Sequence, residues 1–139
     1  MKRVTGIGGI FFKAKENANE LKKWYSDHLG ITEDQPGYGT NWKWRNYDQP
    51  ENTGEIIFSL FSSDSDYLKP SDSPFMINFR VEDLEQLLLV LKAEGVEQVG
   101  QMEVYEYGKF AWILDPDGNK IELWEPKKGY EFDGGLPAS

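Results

Sequence analysis

The 139-residue chain holds 24 acidic and 15 basic residues, 24 − 15 = 9 more acids than bases, for a formal charge of −9, and it contains no cysteine. That balance opposes approach to phosphate backbones and anionic lipid, and the missing cysteine excludes disulfides, thiolate nucleophiles and Cys-based metal centres. No apolar run nears the roughly 18 residues of a membrane span and the N-terminal MKRVTGIGG lacks a signal-peptide core, so the sequence predicts one cytoplasmic domain with no nucleic-acid or membrane partner.

In chain order, residues 4–14 (VTGIGGIFFKA) have strand composition, with Ile10, Phe12 and Ala14 on one face and Gly9, Phe11 and Lys13 on the other. The Gly8-Gly9 pair inside the run predicts a bulge or a close backbone approach. A helix is expected from an N-cap at Asn17 or Asn19 to about His28, stopped by Gly30. A polar connection leads to a strand over about 41–47 and a second over 55–61 (EIIFSLF), whose Glu55, Ile57, Ser59 and Phe61 share a face. Residues 62–73, rich in Ser, Asp and Pro, read as a link.

The pattern then restarts. Residues 74–82 form a strand, 84–93 a helix with Leu84, Leu87, Leu88 and Leu91 on one stripe, and Gly95 its stop. After a connection over 96–105 with one short strand, runs 109–114 and 120–125 flank Asp115-Pro116-Asp117-Gly118-Asn119, a tight reversal that defines a β-hairpin. In its second strand Ile121 and Leu123 face one way, Lys120, Glu122 and Trp124 the other. The tail after Pro126 is polar and Gly-rich, with Tyr130 and Phe132 free to dock on the domain or a partner.

GIFFKA at 9–14 lies over MINFRV at 76–81, and Ser59 falls at the point in its half that Glu122 occupies in the other. The offsets, 76 − 9 = 67 and 122 − 59 = 63, agree to within loop insertions. The expected fold is therefore α+β: two tandem βαβββ modules (about 4–62 and 74–126, link 63–73, tail 127–139) forming curved mixed sheets around a cavity, with the helices outside.

Two stretches, WYSDHLGI at 24–31 and LDPDGNKIELWEP at 114–126, resemble the helix ending and the final hairpin of the glyoxalase / bleomycin-resistance / extradiol-dioxygenase group, the vicinal oxygen chelate superfamily. In the metal-dependent members of that family four sheet positions each supply a ligand, and the resemblance places those positions at Gly9, Ser59, Met76 and Glu122. Glu122 alone is a competent ligand for a divalent ion; glycine has no side chain, serine is a poor ligand and a thioether is soft. The lone histidine, His28, falls at the end of the outer helix, where it reads either as an external-face or core-edge residue or as a catalytic histidine. The expectation is a protein with neither metal nor cofactor.

By alternation, Phe11, Lys13, Trp44, Ser59, Met76, Asn78, Arg80 and Trp124, joined by Trp112, are the ligand-binding candidates, and Glu122 is the catalytic candidate. At the strand holding Trp44, the inward pair is either Trp42 and Trp44 or Lys43 and Arg45. Glu122 has two readings, an enclosed carboxylate with a raised pKa or an ion pair with Lys13 or Arg80. The function expected first is a metal-independent small-molecule binding protein, a homodimer that holds an aromatic or cationic compound between the modules. The alternative is a lyase, isomerase or dioxygenase-like enzyme using Glu122 as base or metal ligand, and a third reading is a structural or regulatory module.

Overall fold

The computed structural model describes residues 3–128. Its elements are β1 (Val4–Lys13), α1 (Ala18–Leu29), β2 (Thr40–Arg45), β3 (Thr53–Phe61), β4 (Phe75–Val81), α2 (Leu84–Ala93), β5 (Glu103–Tyr105), β6 (Gly108–Leu114) and β7 (Lys120–Pro126). Local chemistry sets the boundaries. Asn17 caps α1 by accepting from the Asn19 and Glu20 amides at 3.0 and 3.1 Å, and Gly30, at φ 66°, ends it in the left-handed conformation. Asp83 caps α2 through the Gln86 amide at 3.1 Å. In the β6–β7 turn the Asp115 side chain accepts from the Asp117 and Asn119 amides, while Gly118 takes φ 82°.

The strands form one seven-stranded sheet in the order β2-β3-β1-β4-β7-β6-β5. β1 pairs with β3, and β4 with β7, in parallel; the two modules meet where β1 and β4 run antiparallel. The modules thus share a single continuous curved sheet. Module one has two strands after its helix and module two has three. The register shift between Ile7 and Gly9 puts the expected irregularity at Gly8-Gly9.

Two cores flank the sheet. On the inner face Phe11, Ile57, Phe61, Met76, Trp112 and Trp124 pack with Leu68 from the link, and on the outer face Leu84 and Leu87 of α2 pack on Val81, Ala111 and Leu123 of the sheet. α1 buries none of its residues fully and lies against β3 through Tyr25, whose ring is 5.4 Å from that of Phe58. Among the described residues no helix is long and apolar enough to cross a membrane.

Candidate functional site

Strand register alone assembles the centre of the site. Glu122, midway along β7, is flanked by Asn78 on the parallel neighbour β4 and by Trp112 on the antiparallel neighbour β6. Directly paired residues share a face, so all three side chains project inward. Asn78 Nδ2 donates to Glu122 Oε1 at 2.6 Å, and Trp112 Nε1 donates to Oε2 at 2.9 Å. A third donor, the Tyr67 hydroxyl, comes from the link and also reaches Oε2.

Glu122 is 3% exposed, and the groups that hydrogen-bond its carboxylate are neutral donors. Burial pushes its carboxyl above the usual range, against the opposing pull of those three hydrogen bonds and of the Lys120 charge. Of the two readings of Glu122, the enclosed carboxylate describes the geometry; Lys13 and Arg80 are not the groups that bond it. Lys120 Nζ donates to the Tyr67 carbonyl at 2.5 Å, lies over the Tyr67 and Trp112 rings, and has its own pKa lowered by burial.

Glu122 and its three donors line a cavity of about 130 Å³, and Lys120 is not among its lining residues. Among the described residues its wall carries eight aromatic side chains; Phe110 stacks on Trp124 with ring centroids 5.9 Å apart, and Tyr105 stacks on Tyr107 at 5.2 Å. The Tyr105 hydroxyl donates to the Glu103 carboxylate, which pushes the phenol up to about 12. Among the described lining residues the charged ones are Glu103 and Glu122, and none is basic. Aromatic faces around a carboxylate attract cations.

Of the side chains picked out by alternation, Phe11, Asn78, Trp112, Trp124 and Glu122 meet at this cavity. Met76, with no exposed surface, is packed in the core beside them. Lys13, Trp44, Ser59 and Arg80 are not among its lining residues. The Arg80 guanidinium sits 5.0 Å from the Trp44 ring and 5.1 Å from that of Trp124. Trp44 pairs with Gly54 and occupies the space a Cβ there would need, while Lys43 lies opposite Glu55. Ser59 borders a roomier hollow, about 480 Å³, between α1 and β3. In that hollow Lys22 pairs with Glu33 at 3.2 Å, and none of its described lining residues has a buried polar atom without a partner, so the smaller cavity is the better candidate. Tyr67, Glu103, Tyr105 and Tyr107 escaped the alternation argument. For Tyr67 a signal existed: Tyr67-Leu68 is the apolar pair in an otherwise polar link, and Leu68 is 2% exposed.

The four positions at which related sheets hold a metal do not fit one here. Phe11 Cζ fills the space where a Gly9 Cβ would be, Met76 offers a buried thioether, and three donors already occupy the Glu122 oxygens. Among the described residues no three His, Asp or Glu side chains converge on a point that could hold an ion.

Duplicated strand–helix–strand modules joined through their first strands, with a cavity on the inner face of the shared sheet, define a glyoxalase-like fold. The chain belongs to the glyoxalase / bleomycin resistance protein / dioxygenase superfamily, whose family model matches residues 14–123. No curated protein sequence is a significant match to it. Among solved structures it is similar to methylmalonyl-CoA epimerase from Mycobacterium tuberculosis (TM-score 0.59, 22% identity, 91% of each chain covered). It is also similar to the Mn(II)-bound glyoxalase from Novosphingobium aromaticivorans (TM-score 0.60, 16% identity, all of this chain and 42% of that one). A third is the 2,3-dioxygenase LapB from Pseudomonas sp. KL28 (TM-score 0.56, 21% identity, 92% of this chain and 43% of that one). At these identities the likeness concerns the fold.

Proposed function

We propose that this chain is a metal-independent binding protein for a small aromatic or cationic compound, held in the cavity around Glu122. The observation that carries the reading is a buried carboxylate bonded by neutral donors and walled by aromatic rings, in a cavity whose described lining has no basic side chain. At about 130 Å³ the space is below the roughly 300–1,000 Å³ of sites for drug-sized ligands, which suits a single-ring compound or the headgroup of a larger one. The reading includes a homodimer, supported by the exposed apolar side chains Trp24, Leu29 and Trp42.

The test is a thermal-shift screen of the wild type and Glu122→Gln against aromatic amines, quaternary ammonium compounds and Mn²⁺, Ni²⁺ and Zn²⁺. Ligand at a hundred times its Kd adds about 2.7 kcal/mol to native-state stability. Organic cations should raise the midpoint of the wild type and much less that of Glu122→Gln. A metal-induced rise abolished by Glu122→Gln would overturn the metal-independent reading. The raised Glu122 carboxyl also favours a second reading, proton abstraction from a carbon acid. Its signature is Glu122-dependent uptake of deuterium by a bound carbonyl compound in D2O, seen by NMR.

A further inference from the structure

Asn78 is 2% exposed and spends its amide nitrogen on Glu122, yet its Oδ1 is buried without a hydrogen-bond partner. A buried acceptor left unmade is costly, and native structures seldom leave one. This oxygen is turned toward Gly8, another lining residue of the cavity; a Cβ on Gly8 would fall inside contact distance of it. The missing side chain is what lets Asn78 Oδ1, Trp124 Cε3 and Arg80 Cγ pack close against the strand there. Glu122 has capacity to match: two carboxylate oxygens offer about four lone-pair directions, and three donors are in place.

The cavity therefore presents two acceptors on neighbouring groups, a carboxylate with one free direction and a carboxamide oxygen with none of its bonds made. Asn78 Nδ2 lies 2.6 Å from Glu122 Oε1, so its Oδ1 is only the width of a carboxamide further away, a span that one nitrogen bearing several hydrogens bridges. We infer that the site recognises an N–H-bearing cation, a protonated amine or amidine attached to a small aromatic group, with one N–H on Glu122 and another on Asn78 Oδ1. This rests on the cation-binding reading above and narrows it. A quaternary ammonium would gain the aromatic walls and the carboxylate charge, but it would leave Oδ1 buried and unpaired. A neutral alcohol would forgo the charge.

The experiment is calorimetric titration of the full-length protein with benzylamine, benzyltrimethylammonium and benzyl alcohol at neutral pH. A hydrogen bond to a charged donor corresponds to about 10- to 100-fold in affinity. Benzylamine should therefore bind at least about 10-fold tighter than the quaternary compound. Equal or tighter binding of benzyltrimethylammonium would overturn the N–H inference and leave the cation reading standing. Benzyl alcohol binding as well as both cations would overturn the cation reading itself. In Asn78→Leu, similar in size but without the acceptor, the preference for benzylamine should shrink to about 3-fold or less; an undiminished preference would remove Asn78 from the site. The wild-type ligand series decides between an N–H-bearing cation, a quaternary one and a neutral ligand even if that variant does not fold.

Discussion

Replacing Glu122 by leucine and, separately, by glutamine distinguishes a carboxylate held by neutral donors from one that merely fills space. Both substitutions remove the cost of burying a charge, so that contribution cancels between them. Leucine strands Asn78 Nδ2 and Trp112 Nε1, which now bond the carboxylate at 2.6 and 2.9 Å in residues 2% and 7% exposed. Each orphaned buried donor costs about 1–3 kcal/mol, so the two together give about 2–6 kcal/mol. The Tyr67 hydroxyl can rotate toward another acceptor and is left out of the sum. Glutamine keeps an oxygen for Trp112 and Tyr67, and its NH2 finds an acceptor once the Asn78 carboxamide turns over, because Oδ1 is otherwise unused. Urea unfolding, with matching m-values to show that the unfolding reaction is unchanged, should place Glu122→Leu about 2–6 kcal/mol below Glu122→Gln. A leucine variant within 1 kcal/mol of the glutamine variant would mean that the three hydrogen bonds do not organise the site.

Stability should depend on pH through the same residue. The Glu122 carboxyl is raised above its ordinary 4.5, so between 4.5 and its folded value the native state binds more protons than the unfolded one, and this contribution to stability falls as pH rises. Lys120 opposes the shift without cancelling it. The advantage of Glu122→Gln over wild type should accordingly grow from about pH 4.5 upward and then level off, measured by urea unfolding across pH; an advantage that shrinks with rising pH would refute the assignment. The same titration should weaken binding of a permanently charged ligand such as benzyltrimethylammonium as the pH is lowered through the folded value, read by calorimetry at a series of pH values. Gly8→Ala would set a methyl 2.8 Å from Trp124 Cε3, 3.0 Å from Arg80 Cγ and inside contact distance of an Asn78 held on Glu122. Overpacking of that kind costs about 1–3 kcal/mol, and unchanged urea stability would show that the strand has room that this packing denies.

What was legible in the sequence is what short-range chemistry fixes. Asn17, Gly30, Asp83 and the Asp115–Gly118 turn act on neighbours a few residues away, so the helix ends and the last hairpin could be read directly. Alternation placed Glu122 and Trp124 on one face of β7, and pairing with β4 and β6 keeps them there. Alternation says which face a side chain takes but not its position along the sheet. Arg80 and Asn78 share a face of β4 two residues apart, yet Asn78 bonds Glu122 while Arg80 lies between the Trp44 and Trp124 rings. The choice follows from inter-strand register, a long-range quantity. Tyr67 was hidden for another reason: its segment has loop composition, and only the folded link brings it across 55 residues of sequence to the carboxylate.

The duplication explains why the carboxylate and its two strand-borne donors lie in one half of the sheet. Phe11 pairs with Ser59 across β1 and β3 just as Asn78 pairs with Glu122 across β4 and β7, so the two modules present the same two positions to the cavity side. In module one these are a phenyl ring and a hydroxyl, and the ring folds back over Gly9. In module two they are a carboxamide and a carboxylate. A single buried acid with no acid or cation at the equivalent point needs neutral donors, and the repeat supplies only those on its own neighbouring strands, Asn78 and Trp112. The third donor, Tyr67, comes from the link, a segment outside the repeat. Divergence of the two modules thus left the carboxylate bonded by neutral donors, with the Lys120 charge acting on it from a distance, and the connection between them helped to enclose it, producing an aromatic-walled acceptor site on a sheet whose geometry elsewhere in the family suits a metal.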